Sequence, residues 1–371
     1  MKSSGVVAAT VLVLAVVLAF TVVVPLLRRD TSNGETAGTA PVGAVPVRFR
    51  VEFQPPDSSK VFKIDLDLGY AFVPHPGSKV RVRALDSSSA TIRGEFSVYD
   101  PASDSTAVSR TDPFVYTVPE SAGLLRLKFA SDGSTPVHLF CLVPGYEPRS
   151  AKGIVRDRNI GAYGDPASGV EDVRKYSHLY RAPRYFVDIN ETTESLNLSP
   201  RVRVGDLVAL TSKENPTRHV NFAPVCYPLI AKIEAAWRVF SAKHPEIPQW
   251  RYISWFRSPA HNKGQGGATF SRHPYGDACD IIVDLDYDWR MDDLNGDGAS
   301  DMKDAVEIVG IFEDLEAQGA VTVGGLGAYE YPGPESTGSA THIDARGYLE
   351  RWGYSWMSGR KREKVWYREH K

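Results

Sequence analysis

Residues suited to metal chemistry lie in the segment SRHPYGDACD at positions 271–280. His273 offers an imidazole and Asp280 a carboxylate, and a turn at Gly276 is expected to bring them together where the next strand begins. A catalytic zinc ion usually has three protein ligands and keeps one position open for water. His342, in the later segment THID, is the natural third ligand. Because two imidazoles and one carboxylate suit Zn²⁺, the pattern predicts a zinc site of these three residues.

A second metal-binding pattern, the segment DLNGDGASDMKD at 293–304, lies between the last two of these ligands. Oxygen-bearing side chains alternate along it and a glycine occupies its sixth position, as in the calcium loop of EF-hands. Aspartate replaces the usual glutamate at the last position, as in dockerin-like loops, which the segment resembles. The predicted calcium ligands are Asp293, Asn295, Asp297, the carbonyl of Ala299, Asp301 and Asp304. The sequence predicts a structural calcium site here; the alternative is an acidic turn that caps the next helix.

The elements that must position these residues follow from the spacing of apolar side chains. Short segments of alternating character, separated by Gly, Pro, Ser and Asp, predict an antiparallel β-sandwich over 47–145 with no catalytic constellation. Residues 146–200 form a predicted connector. Residues 201–371 combine strand patterns with helical patterns at Tyr227–Lys243 and Lys303–Gln318, which predicts an α+β zinc domain.

Composition excludes several classes of protein. The formal net charge is −2, from 43 basic and 45 acidic residues, so no basic excess indicates a nucleic-acid partner. Three cysteines are too few for a disulfide scaffold or a four-cysteine zinc ribbon. Strand alternation places Cys279 on the face opposite Asp280, so we expect it to be packed rather than to bind metal, with pairing to Cys226 as an alternative.

The pattern SxHxxGxAxD followed by HxD resembles the zinc D-Ala-D-Ala carboxypeptidase and murein endopeptidase family, which shares its fold with the hedgehog signalling domain. The likeness covers about residues 182–353. Further segments agree with it: WFRSP at 255–259, GLGAY at 325–329, HIDARG at 342–347 and RWG at 351–353. The resemblance implies a hedgehog/DD-peptidase-like zinc domain at the C-terminus, with His273, Asp280 and His342 as its metal ligands.

The resemblance also implies roles for residues around the metal. Arg257 matches an arginine that binds substrate or stabilises the transition state in relatives. Many relatives carry an acid three residues before the last histidine ligand, where this chain has Ser339. Asp344 shares a strand face with His342 and is expected either to orient it or to act as general base. Further candidate bases are Glu330 and Glu335.

The N-terminal segment predicts a membrane anchor. No charged residue lies between Gly5 and Leu27, and a helix of this length spans about 34 Å, enough to cross a hydrocarbon core of about 30 Å. We therefore expect a transmembrane helix over 1–29 and a flexible linker over 30–46; the alternative is a cleaved signal peptide. The expected location is the bacterial cell envelope, as a single-pass protein with its bulk in the periplasm.

These features lead to one expected function and two alternatives. The expected protein is a membrane-anchored zinc metallopeptidase that hydrolyses peptidoglycan peptide bonds in cell-wall remodelling, as a DD- or LD-specific endopeptidase or carboxypeptidase. The first alternative is a non-catalytic, zinc-containing envelope protein that binds murein or glycan. The second is that the sandwich binds a glycan or a protein partner and dominates function.

Overall fold

The structure is a computed structural model. It describes residues 47–101, 103–131, 136–146, 154–155, 158–208, 220–331, 338–355 and 363–365. The predicted membrane anchor (1–29), the predicted linker (30–46) and the candidate base Glu335 lie outside these residues.

The first part of the described chain forms two sheets. Its strands are β1 (Arg48–Phe53), β2 (Phe62–Leu66), β3 (Ala71–Phe72), β4 (Lys79–Leu85), β5 (Glu95–Asp100), β6 (Ser105–Ser109), β7 (Phe114–Thr117), β8 (Gly123–Ala130) and β9 (Val137–Val143). One sheet has the order β2-β1-β4-β7 and the other the order β3-β9-β8-β5-β6. Alternate residues of β1 are buried, and the ring of Phe49 lies 6.2 Å from the rings of both Phe96 and Phe129 on the other sheet. The two sheets therefore pack face to face through their apolar sides.

The rest of the described chain contributes three further sheets. Its strands are β10 (Gly145–Tyr146), β11 (Ile154–Val155), β12 (Arg158–Asn159), β13 (Tyr185–Asp188), β14 (Phe222–Ala223), β15 (Arg251–Ser254), β16 (Ala278–Ile282), β17 (Gly325–Tyr331), β18 (Gly338–Asp344), β19 (Glu350–Ser355) and β20 (Glu363–Val365). The largest sheet has the order β15-β16-β18-β17-β19-β20. Its neighbouring strands are antiparallel except for β17 and β19, which run parallel.

The described helices are few. They are α1 (Glu171–Lys175), α2 (Tyr227–Lys243), α3 (Pro259–Gly264) and α4 (Met302–Ala317). Asp301 caps the start of α4, where its side chain accepts a hydrogen bond from the amide of Lys303. Helix α4 packs on β17 and β18, and α2 packs on α4. The hydroxyl of Thr341 on β18 donates to the carbonyl of Ala305 on α4 at 3.1 Å, so His342, the next residue, faces the opposite side of the sheet.

The fold expected from the sequence needs correction. The described residues belong to one compact unit, and one hydrophobic core runs through both parts of it. Helix α2 joins them, since the hydroxyl of Tyr227 accepts a hydrogen bond from the amide of Val73 at 2.8 Å and its ring lies 5.1 Å from that of Phe53. The described chain is thus a mixed α and β structure made mainly of sheets with few helices. The expectation of an α+β zinc domain after an all-β sandwich and a transmembrane helix was wrong.

The membrane placement also needs correction. A spanning helix needs about 20 mostly apolar residues. Among the described residues no helix is long and apolar enough to cross a bilayer. The longest of them, α2, has 17 residues and carries Lys232, Glu234 and Arg238. This finding contradicts the single-pass, periplasmic placement predicted above, within the part of the chain that the structure describes.

Candidate metal centre

The three predicted metal ligands come together on one face of the six-stranded sheet. Asp280 on β16 and His342 on β18 are directly opposite each other in the antiparallel register, so both side chains point to the same face. His273 opens the short 3-10 turn His273–Tyr275, which ends at Gly276 with a φ of 74°. A Cβ atom at Gly276 would also lie 2.3 Å from Cγ of Pro224. Only glycine fits this turn, which leads the chain from His273 directly into β16.

The ligand atoms of this group are close and buried. One atom each of His273, Asp280 and His342 lies within 4.8 Å of the others. Oδ1 of Asp280 is 2.8 Å from Nδ1 of His342, and Oδ2 of Asp280 is 3.3 Å from Nε2 of His273. All three residues are buried. These residues could hold a metal ion, as the sequence predicted.

In both histidines the ring nitrogen that does not face Asp280 contacts another group. Nδ1 of His273 is 2.6 Å from the carbonyl oxygen of Trp255. A carbonyl only accepts hydrogen bonds, so this nitrogen carries a proton, and Nε2 is the nitrogen of His273 that faces Oδ2 of Asp280. On His342, Nε2 faces Oδ2 of Asp344 at 3.3 Å, which directs Nδ1 toward Asp280. Such outer contacts fix the tautomer and the ring orientation of metal-binding histidines.

Asp344 lies on the side of His342 that faces away from Asp280. Its carboxylate is fully buried and accepts hydrogen bonds from the amide of Gly325 at 2.7 Å and from Nη2 of Arg346 at 2.6 Å. Burial raises the pKa of Asp344, but Arg346 and His342 outweigh burial and hold this pKa well below its usual range. A carboxylate that is a weak base and is already surrounded by donors favours the orienting role over that of general base.

Neither Ser339 nor the candidate base Glu330 directs a side chain to the ligands. Ser339 is buried, and its hydroxyl donates to the carbonyl of Tyr329 at 2.9 Å. Glu330 on β17 is directly opposite Ser339 on β18, three residues before His342. Alternation along β18 therefore places Glu330 on the face away from His342.

Arg257 lies next to the metal-binding group. Its Nη2 donates to Oδ2 of Asp280 at 2.5 Å, and its Nε donates to the hydroxyl of Ser254 at 2.6 Å. The Arg257 side chain keeps 21% of its surface exposed, whereas His273 is buried. A positive charge therefore lies at the edge of the site, where an incoming molecule can reach it.

The charges of the site depend on one another. Burial raises the pKa of Asp280, but His273, Arg257 and hydrogen bonds from both imidazoles outweigh it and hold this pKa well below its usual range. Burial lowers the pKa of His273, and Arg257 lowers it further. Burial also acts to lower the pKa of His342, but Asp280 and Asp344 outweigh it and raise this pKa. Since a metal-binding histidine must be unprotonated, a metal cation would replace the proton that His342 holds beside Asp280.

Two aromatic residues, Trp352 and Tyr329, form an aromatic wall beside His342, and the sequence predicted no role for them. The ring of Trp352 on β19 lies 5.0 Å from that of His342, and its Nε1 donates to the hydroxyl of Tyr329 at 2.8 Å. The indole lies across β17, where a Cβ atom at Gly327 would be 2.5 Å from Nε1 of Trp352. The segments GLGAY and RWG carry this wall, but only the parallel pairing of β17 with β19 brings them together.

The predicted calcium loop lies just before α4. Both carboxylate oxygens of Asp293 accept hydrogen bonds from backbone amides of the loop, and Oδ2 of Asp304 accepts a hydrogen bond from the amide of Asp301 at 2.8 Å. The ammonium of Lys303 lies 2.6 Å from Oδ2 of Asp297 and 3.5 Å from Oδ2 of Asp301. Asp297 and Asp301, two of the six predicted ligands, thus converge on the ammonium of a lysine from the chain itself. The remaining predicted ligands, Asn295 and the carbonyl of Ala299, lie in the same loop, where the side chain of Asn295 accepts a hydrogen bond from the amide of Asp297 at 2.9 Å.

A second acidic group was not predicted from the sequence. Carboxylate oxygens of Asp284, Asp286 and Asp288 lie within 4.8 Å of one another. Asp284 is paired with Nη1 of Arg251 at 2.5 Å, so an arginine already balances the buried member of the group. The alternating DxDxD spacing after β16 was the available signal. Cys279 is buried, as expected, and the alternative of a disulfide with Cys226 is not formed, because both cysteines are free.

Comparison with known proteins assigns no family to this chain: no family model matches it, and no curated protein matches it. The function is therefore inferred from the residues of the site.

Proposed function

We propose that this protein is a zinc metallopeptidase. The observation that carries the proposal is the buried group of His273, Asp280 and His342, with Arg257 beside it and Asp344 behind it. Together these five residues would supply what a hydrolytic metal site needs: three ligands, one partly exposed cation and one orienting carboxylate.

Zinc fits the donor set. Atoms that bind a tetrahedral zinc ion at about 2.0–2.1 Å lie about 3.3 Å from one another. Oδ2 of Asp280 lies 3.3 Å from Nε2 of His273, and Oδ1 lies 2.8 Å from Nδ1 of His342, which is near the separation that such a site requires. When bound, zinc supplies Lewis-acid polarisation of a carbonyl and activation of water at neutral pH.

The chain's own residues would position the substrate and the ligands. Arg257 holds Asp280, and its partly exposed guanidinium would stabilise negative charge that develops on a peptide carbonyl beside the metal. Asp344 fixes the ring of His342. Glu335, outside the described residues, stays a candidate proton acceptor.

The proposed substrate is a peptide of peptidoglycan. Support comes from the resemblance of SxHxxGxAxD and HxD to the D-Ala-D-Ala carboxypeptidase and murein endopeptidase family. Trp352 would offer such a peptide an apolar surface, because its N–H group is already hydrogen-bonded to Tyr329.

A second candidate function is zinc-dependent binding without catalysis. Its support is the placement of these residues: Ser339 has no carboxylate, Glu330 lies on the opposite face of the sheet from His342, and the carboxylate of Asp344 already accepts hydrogen bonds.

Digestion of purified peptidoglycan fragments by the full chain tests the proposal. Zinc content is measured first, and products are then identified by mass spectrometry. Wild type and His178→Ala, which removes an exposed histidine, should bind about one zinc ion and cleave a peptide bond, whereas His342→Ala should lose both. Wild type that binds zinc and fragments but cleaves none of them would leave the binding protein as the function. Zinc retained by His342→Ala would refute the metal site.

We also propose that the loop 293–304 binds calcium, with Asp293, Asn295, Asp297, Ala299, Asp301 and Asp304 as ligands. The spacing of the ligands supports this proposal, as does the convergence of Asp297 and Asp301 on the Lys303 ammonium. Calcium would have to displace that ammonium from the loop.

A further inference from the structure

A lysine is buried beneath the metal centre. Lys232, in the middle of α2, has 0% of its side chain exposed. Its Nζ donates to Oε1 of Glu316 on α4 at 2.5 Å and to the main-chain carbonyl of Asp344 on β18 at 2.6 Å. A buried ammonium is costly unless it is paired and hydrogen-bonded, so this lysine occupies a demanding position.

Glu316 extends the contact to two more strands. Its Oε1 accepts the amide of Gly324, next to the start of β17, at 2.9 Å, and its Oε2 accepts a hydrogen bond from Nη2 of Arg351 on β19. Arg351 in turn donates to the carbonyl of Gly324 at 2.8 Å. One buried network therefore joins both helices to the ends of β17, β18 and β19.

The residues that surround His342 lie at these strand ends. Asp344, whose carbonyl accepts from Lys232, contacts Nε2 of His342 through its carboxylate. Gly325, next to the network, donates to that same carboxylate at 2.7 Å. Trp352, which lies against His342, follows Arg351 directly. A displacement of the Asp344 main chain would move the carboxylate that sets the orientation of His342.

We propose that Lys232 is a positioning residue for the metal centre: it holds the main chain of Asp344 so that the Asp344 carboxylate presents His342 to Asp280. The proposal rests on the metal-binding part of the proposed function and is independent of hydrolysis. Lys232 touches none of the three ligands and acts only through Asp344.

The chain offers a matched control on the same pair of helices. Lys243 of α2 forms an ion pair with Glu307 of α4, but its side chain is 58% exposed and contacts neither Asp344 nor the network. Both lysines thus link α2 to α4, and only Lys232 reaches β18. Lys243→Met removes a link between the helices without touching the strand that carries His342.

The test compares zinc affinity, by competition with a chromophoric chelator, in full-length wild type, Lys232→Met and Lys243→Met. Circular dichroism establishes that each sample is folded. Lys232→Met should bind zinc about 10–100-fold more weakly, as when other outer contacts of a metal site are lost. Lys243→Met should match wild type. Equal affinity in Lys232→Met and wild type would overturn the proposal, whatever the change in stability.

A double variant separates positioning from stability. Lys232→Met leaves buried Glu316 with Arg351 as its remaining cationic partner, and the loss of one member of a buried ion-paired group is destabilising. In Lys232→Met with Glu316→Gln the uncompensated carboxylate charge is gone, and Arg351 keeps an ion pair with Glu313 at 3.5 Å. The protein should therefore regain part of its stability to urea, yet its zinc affinity should stay low because the Asp344 carbonyl still lacks its donor. Recovery of zinc affinity together with stability would show a merely structural role and overturn the proposal. The double variant also decides the matter if the single variant does not fold. Failure to cleave any peptide would count against the peptidase but would leave these affinities unchanged.

Discussion

Replacing Asp344 by asparagine separates the two roles considered for this residue. The change keeps the size of the side chain and one accepting oxygen but removes the charge that faces Nε2 of His342 and Nη2 of Arg346. If the carboxylate only orients His342, its loss should weaken zinc binding by about 10–100-fold. That corresponds to about 1.4–2.7 kcal/mol of binding free energy. Activity should then return when zinc is added in excess.

The same change should also destabilise the fold. Arg346 is nearly buried and would lose its charged partner, and breaking a buried ion pair typically costs about 3–5 kcal/mol. Urea unfolding, with zinc removed by a chelator, measures this term separately from metal binding.

A zinc titration of the cleavage rate is the decisive assay. An orienting role for Asp344 would be refuted if Asp344→Asn bound zinc as tightly as wild type but lost about 10²–10⁴ in rate, because that loss is typical of a missing general base. Full activity without added zinc would refute both roles and direct attention to Glu335.

Three further predictions follow from close contacts at the site and in the loop. Gly276→Ala should lower the free energy of unfolding by about 1–3 kcal/mol and reduce bound zinc, because the left-handed turn and the adjacent proline leave no room for a Cβ atom; urea unfolding and metal analysis measure both. Gly327→Ala should cost about 1–3 kcal/mol of stability by pushing the indole of Trp352 off β17, and an unchanged urea midpoint would contradict this packing. Lys303→Gln should bind calcium more tightly than wild type, since it removes the ammonium that competes at Asp297; if neither protein melts at a higher temperature with calcium, the loop is only an acidic turn.

The sequence alone was enough to select the metal-binding group. His273 and Asp280 are joined by a short turn that only glycine allows, so their proximity is a local property that spacing can reveal. The bounds of α2 agree with the helical pattern at Tyr227–Lys243 because its apolar face recurs with the helical period. His342 needed more than spacing: its motif suggested it, and the register of β16 with β18 places it opposite Asp280.

Tertiary structure alone decided what surrounds these ligands. Asp344 was predicted to share a face with His342, but only the folded chain shows which imidazole nitrogen it contacts and that Arg346 and Gly325 already occupy its oxygens. Trp352 reaches His342 across a neighbouring strand, and no local pattern encodes a parallel pairing between distant segments. The helical pattern over Tyr227–Lys243 did not mark Lys232 as buried; it is buried because Glu316 and the Asp344 carbonyl, both far along the chain, compensate its charge. The expected fold class was wrong for the same reason: Tyr227 packs on Phe53 in a core that both parts share, and such long-range packing does not change the periodicity of either segment.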